Sequence, residues 1–247
     1  FSLSVKQRSS EIVLQTYACW RYFLNNTETD AYSDIVVGGT SHDIIFVPYN
    51  SLNIAKYNMD TNLISYFPHS CGTEAFKSGM AVNSSTVVFA PYNSPYILSV
   101  NTYTNAITFI SHQLSGTGLF DGCCAYNNYY YFAPFNSTKF IRVSALTNTL
   151  DPIQVDNTYG QYKGCIVGGF NYSTFYISYI PYNHNKLLRI SVSTWSASPT
   201  ILVTDAAVKS LQNVGLSGNL ATSRIITGKD NSNSKLYQYN QALNYLL

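Results

Sequence analysis

The side chains in this 247-residue chain that are best suited to catalysis are histidines with acidic residues nearby. His42 directly precedes Asp43, and His112 comes shortly before Asp121. A histidine beside a carboxylate is a common arrangement for general acid–base catalysis. Each pair is close only in sequence or in neighbouring loops, so neither is predicted to be a catalytic dyad.

Other catalytic patterns are missing from the sequence. Residues 215–219 read GLSGN, which does not match the G-x-S-x-G elbow that exposes a serine nucleophile. There is no glycine-rich phosphate loop, no HExxH zinc motif and no stripe of basic and aromatic residues. The chain is therefore predicted not to be an enzyme, and neither a metal nor another cofactor is expected.

The composition favours a secreted or extracellular surface protein. Charged residues make up 11% of the chain and the net charge is +2, against about 25% charged residues in an average protein. This excludes a nucleic-acid-binding surface, and no apolar stretch approaches the roughly 20 residues that span a membrane. Four N-x-S/T sequons predict N-linked glycans, at Asn25, Asn83, Asn136 and Asn171.

An internal repeat organises the chain. Four related hexamers read FVPYNS, FAPYNS, FAPFNS and YIPYNH, and their prolines are Pro48, Pro91, Pro134 and Pro181, at intervals of 43, 43 and 47 residues. A fifth copy has Gly228 in place of the proline. A second marker keeps the same period, because a threonine follows each proline by 13 residues, at Thr61, Thr104, Thr147 and Thr194.

Each repeat is predicted to form four β-strands. In the second copy the strands are GMAV, TVVFA, YILSVNTY and AITFISH, separated by short segments rich in Asn, Ser, Thr and Pro. Four strands in about 43 residues are typical of a propeller blade. We expect an all-β protein, a β-propeller of four-stranded blades, with five blades by repeat count and residues 1–247 in one domain.

These repeats, such as VVFAPYNSPYILSVNTYTNAITFI, resemble the YVTN and NHL-like class of β-propeller repeats over nearly the whole chain. The resemblance implies the propeller fold. The chain departs from that class where an acidic residue commonly follows the third strand, because Asn101, Ser144 and Ser191 stand at or near that place. Any function tied to that acid is not expected here.

The chain begins in the middle of a repeat. Leu3, Ser4 and Val5 match the third strand of the second copy, so residues 1–33 form an N-terminal strand segment and connector outside the full repeats. In one arrangement the segment EIVLQTY completes the last blade of a five-bladed ring. In the other, a sixth, split blade is completed by another chain or by further residues, and a head-to-tail homo-oligomer or filament follows.

The repeated Pro-Tyr-Asn sequence is predicted to be a structural turn between the second and third strands of a blade. The four prolines end the strand ladder because proline lacks a backbone donor, and Asn50, Asn93, Asn136 and Asn183 turn the chain because asparagine tolerates the left-handed conformation. The functional alternative is a ring of Tyr and Asn that stacks on sugars and hydrogen-bonds them.

Polar residues open the first strand of each blade. Gly79, Gly122 and Gly164 are interpreted as equivalent, and the residues before them include Lys77, Asp121 and Lys163. In propeller enzymes acidic and histidine residues from this region converge on a metal in the channel. Here the charges are mixed, and none of His42, His69, His112 and His184 takes an equivalent place in the repeat, so a satisfied polar lining is predicted.

Five cysteines are present, without CxxC or zinc spacing. Cys123 and Cys165 hold equivalent positions on neighbouring blades near the axis, where a disulfide is geometrically conceivable. The alternative pairs Cys19 with Cys71. Cys124 leaves the count odd, which requires an unpaired thiol or an intermolecular bond.

These observations favour a non-enzymatic secreted or cell-surface glycoprotein that acts as a structural, self-assembling subunit or as an interaction platform for proteins or glycans. Two alternatives remain. One is a glycan-binding, lectin-like propeller, and the other is a propeller hydrolase or lyase with a channel-bound metal, which rests on fold analogy.

Overall fold

The structure is a computed structural model, and it describes residues 30–38, 43–154, 162–171, 174–183, 187–193, 195, 200–203, 225–229, 236–240 and 245–246. Every regular element in this part of the chain is a β-strand, and no helix occurs among these residues. The all-β prediction is therefore confirmed.

The strands form five consecutive antiparallel sheets, four with four strands and one with three. The first sheet contains β1 (Tyr32–Gly38), β2 (Asp43–Pro48), β3 (Asn53–Asn58) and β4 (Leu63–Pro68). The second contains β5 (Phe76–Ala81), β6 (Thr86–Pro91), β7 (Tyr96–Asn101) and β8 (Ile107–Ser111). The third contains β9 (Phe120–Tyr126), β10 (Tyr129–Pro134), β11 (Lys139–Ser144) and β12 (Leu150–Gln154). The fourth contains β13 (Tyr162–Asn171), β14 (Thr174–Pro181), β15 (Leu187–Ser191) and β16 (Thr200–Val203), and the fifth contains β17 (Ile225–Lys229), β18 (Leu236–Asn240) and β19 (Tyr245–Leu246).

Each sheet follows chain order, so each is one up-and-down blade. The first strands of neighbouring blades, β1, β5, β9 and β13, pack beside one another, and we call them the inner strands. The four-stranded blades match the prediction. The fifth sheet, the predicted N-terminal strand and any sixth blade involve residues outside the described ones, so the number of blades stays a prediction.

The hydrophobic core lies between blades, where the second strands of the first three blades and the inner strands of the second and third blades are largely buried. One cluster joins the first and second blades around Ile45 and Phe89. A second joins the second and third blades around Phe120 and Phe132, and a third joins the third and fourth blades around Tyr179.

The hexamer proline lies at the end of each second strand and is paired with the first residue of the inner strand. The pairs are Pro48 with Tyr32, Pro91 with Phe76, Pro134 with Phe120 and Pro181 with Tyr162. Directly after this pair, the register of all four blades shifts by an extra residue on the inner strand. This β-bulge changes the direction in which the next side chain of the inner strand points.

Pairing with the second strand corrects one predicted equivalence. Gly79 is paired with Phe89, and the matching partner in the third blade is Cys123, not Gly122. Gly79 therefore corresponds to Cys123 and Cys165, whereas Gly122 and Gly164 correspond to Ser78. Counting by the repeat period fails because the turn between the inner and second strands is one residue longer in the second blade than in the third.

The predicted left-handed conformation belongs to a different asparagine. Asn50, Asn93 and Asn136 are not among the residues with positive φ. The asparagines of the Thr-Asn pairs are, since Asn62, Asn105 and Asn148 have φ of 57°, 58° and 56°. The tight turn that needs this backbone conformation thus joins the third and fourth strands in the first three blades.

Candidate functional site

The residue after each hexamer proline is aromatic, and the backbone places these side chains at the start of the inner strands. The Tyr49 N–H donates to the carbonyl of Ala31 at 2.9 Å, and the Tyr92 N–H donates to that of Ala75 at 2.8 Å. The Phe135 N–H makes the same bond to Leu119 at 2.9 Å. Each turn is therefore held to the residue that precedes its own inner strand.

The same turns are also bonded to the next blade. The N–H of Ala75 donates to the Tyr49 carbonyl at 3.0 Å, and the N–H of Leu119 donates to the Tyr92 carbonyl at 2.8 Å. These backbone bonds connect consecutive blades through the hexamer turns. Their effect is to bring aromatic side chains of different blades within contact distance.

Four rings form a continuous series, the aromatic arc, made of Tyr49, Tyr92, Phe135 and Tyr182. Successive centroids are 5.9, 6.3 and 5.5 Å apart, within the usual range for interacting rings. The rings are half-buried, so part of each ring faces solvent. The alternative prediction is a sugar-binding ring of Tyr and Asn at one level of the propeller; the structure brings four half-buried aromatic rings together there, one of them Phe135.

Charged side chains from the inner strands alternate with these rings. Lys77, Asp121 and Lys163 each follow the residue paired with the proline, and thus hold equivalent places in the second, third and fourth blades. The ammonium group of Lys77 lies 4.4 Å from the Tyr49 ring centroid. That of Lys163 lies 4.4 Å from the Tyr182 centroid. Both distances are typical of cation–π contacts.

Asp121 is the carboxylate between these two cations. Its side chain is 13% exposed, and one of its oxygens is 3.7 Å from the Lys163 ammonium group. Burial raises the pKa of Asp121, and the charges of Lys163 and Lys77 oppose that rise only in part. The result is a carboxyl group that holds its proton at higher pH than a solvated aspartate does.

Tyr49 and Tyr92 have hydroxyls with raised pKa values. Burial is the largest cause for both, followed by Glu74 for Tyr49 and by Asp121 for Tyr92. Both hydroxyls therefore stay protonated, and that of Tyr49 is hydrogen-bonded to Glu74.

Two glycines bring the inner strands of the third and fourth blades together beside Asp121 and Lys163. A Cβ at Gly122 would lie 2.2 Å from Cα of Gly164, and the φ of Gly122 is +118°. No side chain fits this gap, and few residues other than glycine adopt this backbone. The close approach allows Lys163 to reach Asp121 on the neighbouring blade.

The described cysteines, Cys71, Cys123, Cys124 and Cys165, are all free. The predicted Cys123–Cys165 disulfide is therefore wrong. Equivalent inner-strand residues point in the same direction around the ring, so Cys123 packs in the cluster of the second and third blades. Cys165 packs instead in the next cluster, where it faces Cys124. Cys19, and with it the Cys19–Cys71 alternative, lies outside the described residues.

Two histidines do occupy equivalent places, contrary to the prediction. His69 and His112 each have Nε2 next to a hexamer carbonyl, at 2.9 Å from Ser51 and 2.8 Å from Ser94. In each ring Nδ1 accepts a backbone N–H, from Cys71 at 3.4 Å or Leu114 at 3.1 Å. Both rings are buried, and burial lowers their pKa. They serve the fold, and His42 and His184 lie outside the described residues.

The sequons differ in their surroundings. Asn83 lies on the exposed turn between β5 and β6. Asn136 is half-buried, its Nδ2 donates to the Thr117 carbonyl at 3.1 Å, and the same atom lies against Gly118. Asn171 lies at the end of β13, and Asn25 falls outside the described residues.

The charged residues beside the arc, Lys77, Asp121 and Lys163, do not fit a divalent metal. The two ammonium groups that flank Asp121 would repel the ion. Among the described residues, no group of three or more His, Cys, Asp or Glu side chains could hold a metal ion. In the same part of the chain, no helix is long and apolar enough to cross a membrane.

The arc and its cations were not predicted as one site. A signal was present in the sequence, because the residue after all four prolines is Tyr or Phe, whereas a turn does not require an aromatic residue there. The pairing of these rings with Lys77 and Lys163 depends on the bulge, which the sequence does not show.

No protein-family model matches the sequence, and no curated protein sequence matches it, so the YVTN and NHL-like assignment stays a prediction. Solved structures do match. Virginiamycin B lyase from Staphylococcus aureus has a TM-score of 0.66 and 13% identity, with 90% of this chain and 70% of the lyase covered. A streptogramin B lyase has a TM-score of 0.59 and 15% identity, with 88% and 65% covered. A chain of a nidogen–laminin complex has a TM-score of 0.60 and 9% identity, with 87% and 78% covered.

These likenesses correct the predicted function. The prediction of a non-enzymatic structural or self-assembling subunit is contradicted, because lyases recur among the similar structures. The alternative of a propeller hydrolase or lyase fits this finding better. At such low identity the likeness establishes the fold alone, and it agrees with the four-stranded blades: the chain is a β-propeller.

Proposed function

We propose that the chain is a propeller enzyme of the lyase or hydrolase class, with its reaction centre beside Asp121 on the face where the inner strands begin. One observation carries the proposal: the Asp121 carboxyl group is 13% exposed and has a raised pKa. A carboxylate with a raised pKa is a better proton acceptor than a solvated one. Its ion-pair partner Lys163 contacts the Tyr182 ring, which places Asp121 beside the aromatic arc.

An elimination reaction uses this geometry directly. The Asp121 carboxylate takes a proton from a carbon next to a carbonyl group, and the released electron pair forms a carbon–carbon double bond as the bond to the leaving oxygen breaks. The leaving oxygen departs with its electron pair and then receives the proton from Asp121. The Lys163 ammonium group stabilises the negative charge that develops on the carbonyl oxygen.

Hydrolysis uses the same groups. Asp121 takes a proton from water, the water oxygen adds to the carbonyl carbon, and Lys163 stabilises the resulting oxyanion. Collapse of that intermediate expels the leaving group, which receives the proton from Asp121. In both reactions the rings of the arc hold the substrate by stacking.

The similarity to lyase propellers supports this class, and the notion of a channel metal is not retained because the residues of the arc do not fit one. The repeat count supports a five-bladed ring of YVTN or NHL-like blades, and the four sequons support secretion. Class averages of the purified protein in electron micrographs would count the blades.

The test is a substrate screen with a mass readout. The purified chain is incubated with cyclic esters, simple esters and uronate-containing glycans, and products are identified by mass spectrometry. A lyase leaves the total mass of the products equal to that of the substrate, with a cyclic ester giving one ring-opened isomer, whereas a hydrolase adds the mass of one water. Asp121→Asn abolishes turnover, and the exposed control Asp60→Asn on the turn after β3 leaves it unchanged.

The lectin-like alternative has support from the half-buried rings of the arc. It gives a different outcome in the same screen. Glycans then bind without any product, and binding survives in Asp121→Asn. Binding without turnover across the panel would refute the enzyme proposal.

A further inference from the structure

We propose that Lys77, with Tyr49 and Tyr92, forms a carboxylate subsite that selects substrates carrying a carboxylate attached to a ring with an apolar face. The inference rests on the proposed function, because it names the class of substrate that the same face accepts. It concerns recognition, whereas Asp121 and Lys163 concern the reaction.

Lys77 differs from its counterpart Lys163 in its partners. Lys163 is paired with Asp121 at 3.7 Å. Lys77 makes no ion pair with any residue in the described part of the chain, and its ammonium group lies 4.4 Å from the Tyr49 centroid and 5.5 Å from the Tyr92 centroid. Ring faces attract a cation but leave its N–H donors without strong acceptors. The donors of Lys77 are therefore available to an anion.

The local charge also favours an anion. Lys77, Asp121 and Lys163 hold equivalent positions on their inner strands. Together they provide two ammonium groups and one carboxylate, which is an excess of positive charge. Glu74 precedes the inner strand of the same blade as Lys77, and its carboxylate accepts from Asn93 Nδ2 at 2.8 Å and from the Tyr49 hydroxyl. Glu74 is exposed, where solvent screens its charge.

The rings determine the second part of the ligand. Tyr49 and Tyr92 are 5.9 Å apart with planes inclined by 57°, and each is half-buried. The exposed part of such a ring accepts an aromatic ring or the apolar face of a sugar. An aromatic carboxylate and a sugar acid share the required chemistry, which is a carboxylate attached to a ring with an apolar face.

Two matched probe pairs test the subsite by saturation-transfer NMR and titration. Glucuronate is compared with glucose, and 4-hydroxybenzoate is compared with 4-hydroxybenzyl alcohol. At least one acid binds about tenfold or more tightly than its neutral partner, as a charge-assisted hydrogen bond implies. Preference for glucuronate identifies a sugar acid as the source, and preference for 4-hydroxybenzoate identifies an aromatic acid. Equal binding of acid and neutral probe in both pairs overturns the proposal.

Variants separate this inference from the proposed function. Lys77→Met removes the preference for the acid, Lys77→Arg retains most of it, and the control Lys139→Met at the start of β11 leaves it unchanged. Asp121→Asn abolishes turnover, yet it strengthens acid binding about threefold because a nearby negative charge is lost. Turnover with no acid preference refutes the subsite alone, and acid preference without turnover refutes the enzyme alone. A Lys77→Met protein that keeps the full acid preference also overturns the subsite.

Discussion

The ammonium group of Lys163 lies 3.7 Å from the carboxylate of Asp121 in the preceding blade, and 4.4 Å from the ring centroid of Tyr182 in its own blade. One cation therefore joins the acid of the third blade to the arc of the fourth. Its charge lowers the pKa of Asp121 against the larger effect of burial, which raises it. Without the Lys163 charge, less would oppose the effect of burial, which raises the pKa of Asp121.

We expect Lys163→Met to raise the pKa of Asp121 further. Because the proposed reaction needs the deprotonated carboxylate, the acid limb of the kcat/KM profile shifts to higher pH. NMR titration of ¹³C-labelled aspartate carboxyl groups measures the same shift without a substrate. Lys139→Met serves as the control, and an Asp121 titration that is unchanged or moves to lower pH in Lys163→Met contradicts the assignment.

The glycine contact between the third and fourth blades gives a stability prediction. Gly122→Ala places a methyl group 2.2 Å from Cα of Gly164 at a φ of +118°, and the backbones must separate. We expect a loss of about 3 kcal/mol or more in the free energy of unfolding, measured by urea denaturation.

Gly72→Ala is the matched control for that substitution. Gly72 has a φ of +80°, but an added Cβ meets nothing within 4 Å. It therefore suffers only the backbone cost of about 1 kcal/mol. Equal losses in the two variants would show that the strands of the third and fourth blades are not in close contact at this point.

The equivalent histidines make stability depend on pH. The folded-state pKa values of His69 and His112 are lowered from 6.5, so the unfolded chain binds protons more readily. Their contribution to stability is complete above pH 6.5 and is lost as pH falls from 6.5 through the folded pKa values. A protonated Nδ1 also can no longer accept the backbone N–H of residue 71 or 114.

Urea midpoints between pH 7.5 and pH 5 measure this effect. We expect the midpoint to fall with pH in the parent, and the double variant His69→Gln/His112→Gln to show a weaker fall from a lower starting value. A double variant whose slope equals that of the parent would assign the pH dependence to other groups.

Two of the sequons are expected to differ in glycan occupancy. In a secretory eukaryotic host we expect Asn83 to carry a glycan and Asn136 to remain bare, because a glycan on Asn136 would displace its Nδ2 hydrogen bond to Thr117 and meet Gly118. Peptide mapping after glycosidase treatment measures occupancy at each site. Full occupancy of Asn136 in folded protein, or none at Asn83, would contradict this expectation.

Much of the fold was predictable because the hexamer prolines mark the end of each second strand, and a fixed period needs no knowledge of tertiary contacts. The site was less predictable. Lys77, Asp121 and Lys163 were identified as polar residues leading the inner strands, but their partners depend on the bulge that follows Phe76, Phe120 and Tyr162. A bulge is a local change of register and leaves no fixed residue signature.

The histidine error has a similar physical origin. His69 and His112 are 43 residues apart, so the period itself relates them, but their role becomes clear only when the Ser51 and Ser94 carbonyls are placed beside them. The disulfide error arose because equivalence in sequence was taken for proximity. Equivalent side chains in a ring point in the same direction and so do not face each other.

Each ring of the aromatic arc comes from a different blade and follows a proline at which the strand ladder ends. The arc is therefore modular. A change of ring at one turn alters one contact and leaves the blade's ladder as it is. Phe135 already differs from the three tyrosines by lacking a hydroxyl, so the third blade offers no hydrogen-bond donor at that position. Ligand selectivity in such a protein can therefore change by substitution in one blade at a time, without changes in the other blades.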